Sequence, residues 1–155
     1  MIIGATLQNR TVLTMSSPRH TAPAVATTAA PRPRGHYAQA RIAGDLIFTA
    51  GFGPVDPQTG LLVGDGDVAE QTRQTLRNLQ AVLAEAGATL QDVVKLTAFL
   101  EDPDRDWDAY DAVFPEFFEA PYPARLTAGA HLGTILVEIE AVALRPPQDL
   151  ASSPQ

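Results

Sequence analysis

Residues Pro123 to Leu144 read P-A-R-L-T-A-G-A-H-L-G-T-I-L-V-E-I-E-A-V-A-L. The later part, Thr134 to Leu144, alternates with a period of two. Val137, Ile139, Ala141 and Ala143 fall on one side, and Leu136, Glu138, Glu140, Val142 and Leu144 on the other. This predicts a strand that is apolar on one side and partly apolar on the other. Arg125 heads a second predicted strand, Ala124 to Ala128. The planar fork of an arginine grips a carboxylate with two parallel hydrogen bonds. A glutamate fixed on a strand is an acceptor and a candidate proton-transfer group. Arg125 and Glu138, read as standing on neighbouring strands, are the first candidates to hold a small acid and act on it.

Working outward, Ala40 to Ile42 and Leu46 to Ala50 read as short strands joined across Ala43-Gly44-Asp45. Glycine at the first central position suits a tight hairpin that needs positive φ there. The turn Asp56-Pro57-Gln58-Thr59-Gly60 leads into a third predicted strand, Leu61 to Val63. Asp67 to Ala86 is the clearest helix. Asp67 is a good N-cap, Glu70 completes a capping-box pattern, and Val68, Thr72, Leu76, Leu79, Leu83 and Ala86 make one stripe. Gly87 stops it. Asp92 to Leu100 is a predicted strand with Val94, Leu96, Ala98 and Leu100 on one face. Asp106 to Phe118 is a second helix, kinked or tightened at Pro115, because proline in a helix interior costs about 3 kcal/mol.

The order β-β-β-α-β-α-β-β predicts an α+β fold, a single mixed β-sheet with two helices on one face. The other sheet face then has nothing in the chain to cover it, although it is partly apolar. That points to association of subunits.

The 155 residues are 45% hydrophobic, enough for one domain with a real core. The net charge of −7 is the wrong sign for a phosphate-binding surface, so a nucleic-acid partner is not expected. There is no cysteine, hence no disulfide, thiolate nucleophile or thiolate metal site. His20, His36 and His131 lack metal-ligand spacing, and no apolar run has the length of a membrane span. A cytoplasmic protein without metal is expected. Residues 1–24 lack periodicity and read as a flexible tail, with Met15 as an alternative start. Residues 25–146 form the domain and 147–155 a second tail.

The runs G-H-Y-A-Q-A (Gly35 to Ala40), G-D-L-I-F-T-A-G (Gly44 to Gly51), P-V-D-P-Q-T-G (Pro54 to Gly60), E-Q-T-R-Q-T-L-R-N-L (Glu70 to Leu79), P-A-R and V-E-I-E-A-V-A follow one another in this order. In order and spacing they resemble the Rid (reactive intermediate deaminase) family, also called YjgF, over roughly Val25 to Arg145. The resemblance implies a chorismate-mutase-like fold, a homotrimer with ligand clefts between subunits, and no cofactor. The implied reaction is hydrolysis of 2-imino or 2-enamino acids to 2-oxo acids and ammonia. By the same resemblance Arg125 binds the substrate carboxylate and Glu138 positions the attacking water. Tyr37 lines the cleft, and the backbone of Gly51 lies against the ligand. Thr127 or Tyr37 supplies a hydroxyl to the tetrahedral intermediate.

The chain departs from the family pattern at His36, Phe52, Asp111, Pro115 and Thr127, and it is shorter between Leu126 and Val137. Phe52 and His131 are therefore expected at an altered substrate pocket. Two rival readings follow. One is an enzyme on the same fold specialised for a larger imine or enamine; the other is a non-catalytic trimer that binds small carboxylates.

Overall fold

The computed structural model describes residues 22–147. Its elements are β1 (Ala24–Val25), β2 (Ala40–Ala43), β3 (Leu46–Thr49), α1 (Val68–Glu85), β4 (Val93–Leu100), α2 (Pro103–Asp111), β5 (Ala124–Gly129) and β6 (Val137–Leu144). The strands form one six-stranded sheet in the order β1-β2-β3-β6-β4-β5. Only β4 and β5 run parallel, so the sheet is mixed. Buried residues of α1 and α2 share one core with Ile47, Leu96, Ala98, Ile139 and Ala141 of the sheet. This is the α+β architecture that the order of segments predicts.

Local chemistry explains most of the boundaries. Ala43 pairs with Leu46 across Gly44-Asp45, and Gly44 takes φ +60°, a conformation open to glycine at little cost. In α1 the Asp67 carboxylate accepts from the Glu70 backbone N–H at 3.1 Å, which satisfies one of the unpaired N–H groups of the first turn. The Glu70 side chain does not return to the cap. It turns outward to Arg73 and Arg77, so only half of the expected capping box forms. At the other end Gly87, at φ +81°, donates to Ala84 O, and Ala88 donates to Leu83 O. These two bonds are the Schellman closure. Leu76, Leu79, Val82 and Leu83 are fully buried, each contributing about 1.5–3 kcal/mol of transfer free energy.

The structure corrects the sequence reading at several elements. Leu61–Val63 is not a strand: Leu62 makes only an isolated bridge to Val55. A short strand, β1, takes the edge beside β2 instead. The described part of the expected N-terminal tail is bonded there, with Ile42 N donating to Pro23 O at 3.0 Å. The rest of that tail, the start at Met15 and most of the C-terminal tail lie outside the described residues. In β4 a register shift between Val93 and Lys95 places Val93 inside and leaves Val94 exposed. Helix α2 begins and ends earlier than expected. Asp102 caps it by accepting from Arg105 N, and Pro103 occupies the first turn, where a missing N–H costs nothing. It stops at Asp111 because Pro115 has no N–H to give to the Asp111 carbonyl. Phe114–Glu116 form a single 3₁₀ turn instead. Arg73 holds that turn to α1 by donating to both Glu116 oxygens, at 2.8 and 2.7 Å.

The face of the sheet away from the helices is open. Phe48 (43% exposed), Leu126 (50%) and Leu144 (50%) stand on it, beside Val142 and Phe99.

Candidate active site

Glu138 and Gly51 come together through the sheet register. Phe52 bridges to Ile139 with two backbone hydrogen bonds, Phe52 N to Ile139 O at 2.9 Å and Ile139 N to Phe52 O at 3.0 Å. The residue preceding the bridge, Gly51, therefore lies beside the residue preceding Ile139, which is Glu138. The segment is held from behind by the buried Asn78. Its amide donates to Gly53 O at 3.0 Å and Val55 O at 2.9 Å. A β-carbon built on Gly51 would stand 2.5 Å from Glu138 Oε1. Only glycine lets the carboxyl side chain lie so close to this backbone.

Tyr37 joins the same place. Its hydroxyl oxygen accepts from Arg34 N at 3.1 Å, which orients an otherwise exposed ring. The chain before it is tied down by buried Gln39, whose side chain accepts from Thr27 N and donates to Thr27 O and Pro31 O. Tyr37, Gly51 and Glu138 line one cavity of about 540 Å³, together with Arg32, Arg34 and Thr134.

Arg125 lies elsewhere. On β5 it pairs in register with Leu96, whereas Glu138 pairs with Phe99. Leu96 is buried under the helices, while Phe99 stands on the open face. Arg125 and Glu138 thus point to opposite faces of the sheet, and β4 runs between their strands. The expectation of neighbouring strands is corrected here: within one chain the fork and the carboxylate do not meet. Alternation along each strand assigns sides only within that strand, and the register with β4 decides the rest.

The Arg125 guanidinium rests on an aromatic floor, 4.2 Å from the Phe114 ring centroid, 5.2 Å from Tyr110 and 5.5 Å from Trp107. Such cation–π contacts hold the fork flat. Arg125 Nη2 donates to Asp111 Oδ1 at 2.5 Å. Thr127, two residues along the same face, has its hydroxyl oxygen 3.3 Å from the Tyr110 hydroxyl oxygen. Burial pushes the Tyr110 phenol above its ordinary value, so it stays protonated at neutral pH. Arg125, Thr127, Asp111 and Trp107 line a second cavity of about 430 Å³.

The two remaining candidates sit differently. Phe52 is a core residue, 5% exposed. Its bridge to Ile139 turns the ring toward the helix-covered face, while the residue also borders the Glu138 cavity beside Gly51. His131 is on the exposed loop between β5 and β6 and lines neither cavity. Its Nδ1 is 2.9 Å from Glu101 Oε1. Glu101 also accepts from the backbone N–H groups of Leu132 and Gly133. It fixes the loop that brings Thr134 and Ile135 to the Glu138 cavity. Sequence reasoning passed over Gln39, Asn78 and Glu101. The available signal was an amide interrupting the apolar stripe of α1 at Asn78.

The family model described as endoribonuclease L-PSP matches residues 27–145. The chain belongs to this family, the Rid or YjgF family that its motifs resemble. A RutC family protein of Pyrococcus abyssi is 42% identical over 121 residues, covering 77% of this chain and 94% of that protein. A 2-iminobutanoate/2-iminopropanoate deaminase of Salmonella typhimurium is 36% identical over 126 residues, covering 78% and 96%. The crystal structure of Escherichia coli TdcF with bound serine superposes with a TM-score of 0.74 at 34% identity, covering 79% of this chain and 98% of that one.

Proposed function

We propose that this protein hydrolyses 2-imino or 2-enamino acids to 2-oxo acids and ammonia in a cleft built by two copies of the chain. One copy supplies Arg125 and Thr127; the other supplies Tyr37, the Gly51 backbone and Glu138. The observation that carries this reading is the separation of two complementary half-sites on opposite faces of one sheet. One half has a carboxylate-gripping fork and no proton acceptor beyond Asp111. The other has a carboxylate on an open, apolar face. The half-exposed Phe48, Leu126 and Leu144 give that face a reason to be covered by another copy, and a homotrimer is the assembly the reading favours. The relationships to an imine deaminase and to a serine-binding protein support the same substrate class.

The chemistry asks little of the protein. The carbon of a protonated imine is already electrophilic. Arg125 holds the substrate carboxylate, and Glu138 orients a water and takes its proton as the new C–O bond forms. The resulting carbinolamine is met by the Thr127 or Tyr37 hydroxyl. Glu138 returns the proton to nitrogen and then takes the hydroxyl proton as the C=O bond forms and the C–N bond breaks, so that ammonia leaves and a 2-oxo acid remains. Most of the gain is positioning and preorganised charge. The specialised-substrate alternative draws support from Arg32 and Arg34. Both border the Glu138 cavity and have no acidic partner among the described residues.

The test has two arms. Purified protein should accelerate ammonia release from 2-iminopropanoate generated in situ, beside bulkier and dicarboxylic imines. Arg125→Ala and Glu138→Gln should each be inactive alone and regain activity when unfolded and refolded together. Mixing that restores nothing, although both variants assemble, would mean the two residues do not share a cleft.

A further inference from the structure

We propose that Asp111 makes the Arg125 clamp select ligands that carry a positive charge beside their carboxylate, so that zwitterionic amino or iminium acids bind in preference to plain carboxylate anions. This rests on the imine-hydrolase reading of the same site and names what the site selects.

An arginine that serves only to attract a carboxylate works best with its charge uncompensated. Here Arg125 is 20% exposed at its side chain and already bound to Asp111 at 2.5 Å. The pair has no net charge. A ligand carboxylate that takes the remaining N–H groups of the fork must lie close to the Asp111 carboxylate, and like charges so near one another repel. A ligand relieves this when it brings its own cation next to its carboxylate. In an α-amino acid or a protonated 2-imino acid, a single carbon separates the two. The Asp111 side chain is 48% exposed, so its carboxylate retains capacity to accept from an ammonium or iminium N–H. Arginine and aspartate side by side are then complementary to carboxylate and nitrogen side by side.

The position of Asp111 strengthens the case. It is the last residue of α2, where the unpaired carbonyl groups disfavour an anion. An asparagine would keep the hydrogen bond to Arg125 without that cost. The charge at 111 therefore has no structural justification from the helix, and ligand recognition supplies one. The arrangement also bears on turnover. The protonated imine carries the second charge and the 2-oxo acid product does not, so the same pair holds substrate and releases product.

The experiment compares two ligands of equal carbon skeleton, L-alanine and propanoate, on the full chain by calorimetric or NMR titration. Wild type should bind alanine at least about tenfold more tightly, equivalent to ~1.4 kcal/mol. Asp111→Asn should lower the ratio several-fold by strengthening propanoate, with the Glu138 carboxylate of the cleft left in place, and Asp111→Glu should restore most of the preference. A ratio that Asp111→Asn leaves unchanged, a wild type that favours propanoate, or no measurable binding of either ligand overturns the proposal. Asp111→Ser provides a second reading of the ratio if the asparagine variant does not fold. Turnover of 2-iminopropanoate is measured separately. Normal turnover with an unmoved ratio removes only the selectivity. A ratio that moves in a protein without turnover keeps the selectivity and removes the hydrolase.

Discussion

The carboxyl group of Glu138 occupies the space into which a side chain on Gly51 would project. A β-carbon there would come within 2.5 Å of Oε1 and 3.0 Å of Cδ. The obstructed atoms are the far end of a flexible side chain, so a substitution moves the carboxylate and spares the fold. Gly51→Ala should lower turnover by at least about tenfold, since small displacements of a positioned group are costly to rate. Its melting temperature should stay within a few degrees of wild type. A variant with full activity would show that the position of Glu138 is not critical to the reaction.

Arg125→Lys keeps the charge but loses the planar fork and its fit on Phe114. Hydrolysis of any imino acid should fall by about 100-fold, with the circular dichroism spectrum unchanged. Near-normal turnover would mean that the carboxylate is held by another group.

Phe52→Gln tests whether the ring packs or recognises. The residue is buried and bridged to Ile139. The change removes a large apolar side chain and buries an amide in its place. Losses of about 3 kcal/mol or more in unfolding free energy are expected, read from denaturant midpoints. A stable variant with altered preference between small and bulky imines would show that Phe52, which borders the Glu138 cavity, recognises substrate as well as packing.

The loop after β5 should loosen in acid. Hydrogen bonding from the Leu132 backbone N–H, ahead of that from His131, holds Glu101 below its ordinary value of 4.5. A carboxylate whose folded pKa is depressed contributes stability above its unfolded pKa and loses it as pH falls through the folded one. Protection of the Leu132 and Gly133 amides against hydrogen exchange should therefore persist at neutral pH and decline only below about pH 4.5. In Glu101→Gln it should be low at neutral pH and no longer follow acidification. Equal protection in the two proteins would show that the loop is held by other bonds.

Much of the fold was legible because its signals are local. The glycine of the Gly44-Asp45 hairpin, the Asp67 cap and the alternation of β6 each act within a few residues and appear as expected, although β6 starts at Val137 and not at Thr134. What was missed depends on partners distant in sequence. Val94 reads as inward-facing until the bulge opposite β6 turns it out. Leu61–Val63 has strand composition but no neighbour to pair with beyond one bridge. The start of α2 carried a readable signal, Asp102 followed by Pro103, a cap residue before a proline of the first turn. At the site, the residue types were readable and their sides were not. Nothing local to Arg125 reveals that Leu96 sets its face, nor does anything near Phe52 reveal its bridge to Ile139.

The opposition of Arg125 and Glu138 across one sheet has a consequence for rate. In the proposed two-copy cleft a solitary subunit would hold half of what each turnover needs, twice over, and complete neither. Specific activity should then fall as the protein is diluted through the concentration at which its subunits part. The quantity of protein present would then set how many clefts exist and also whether any of them is whole.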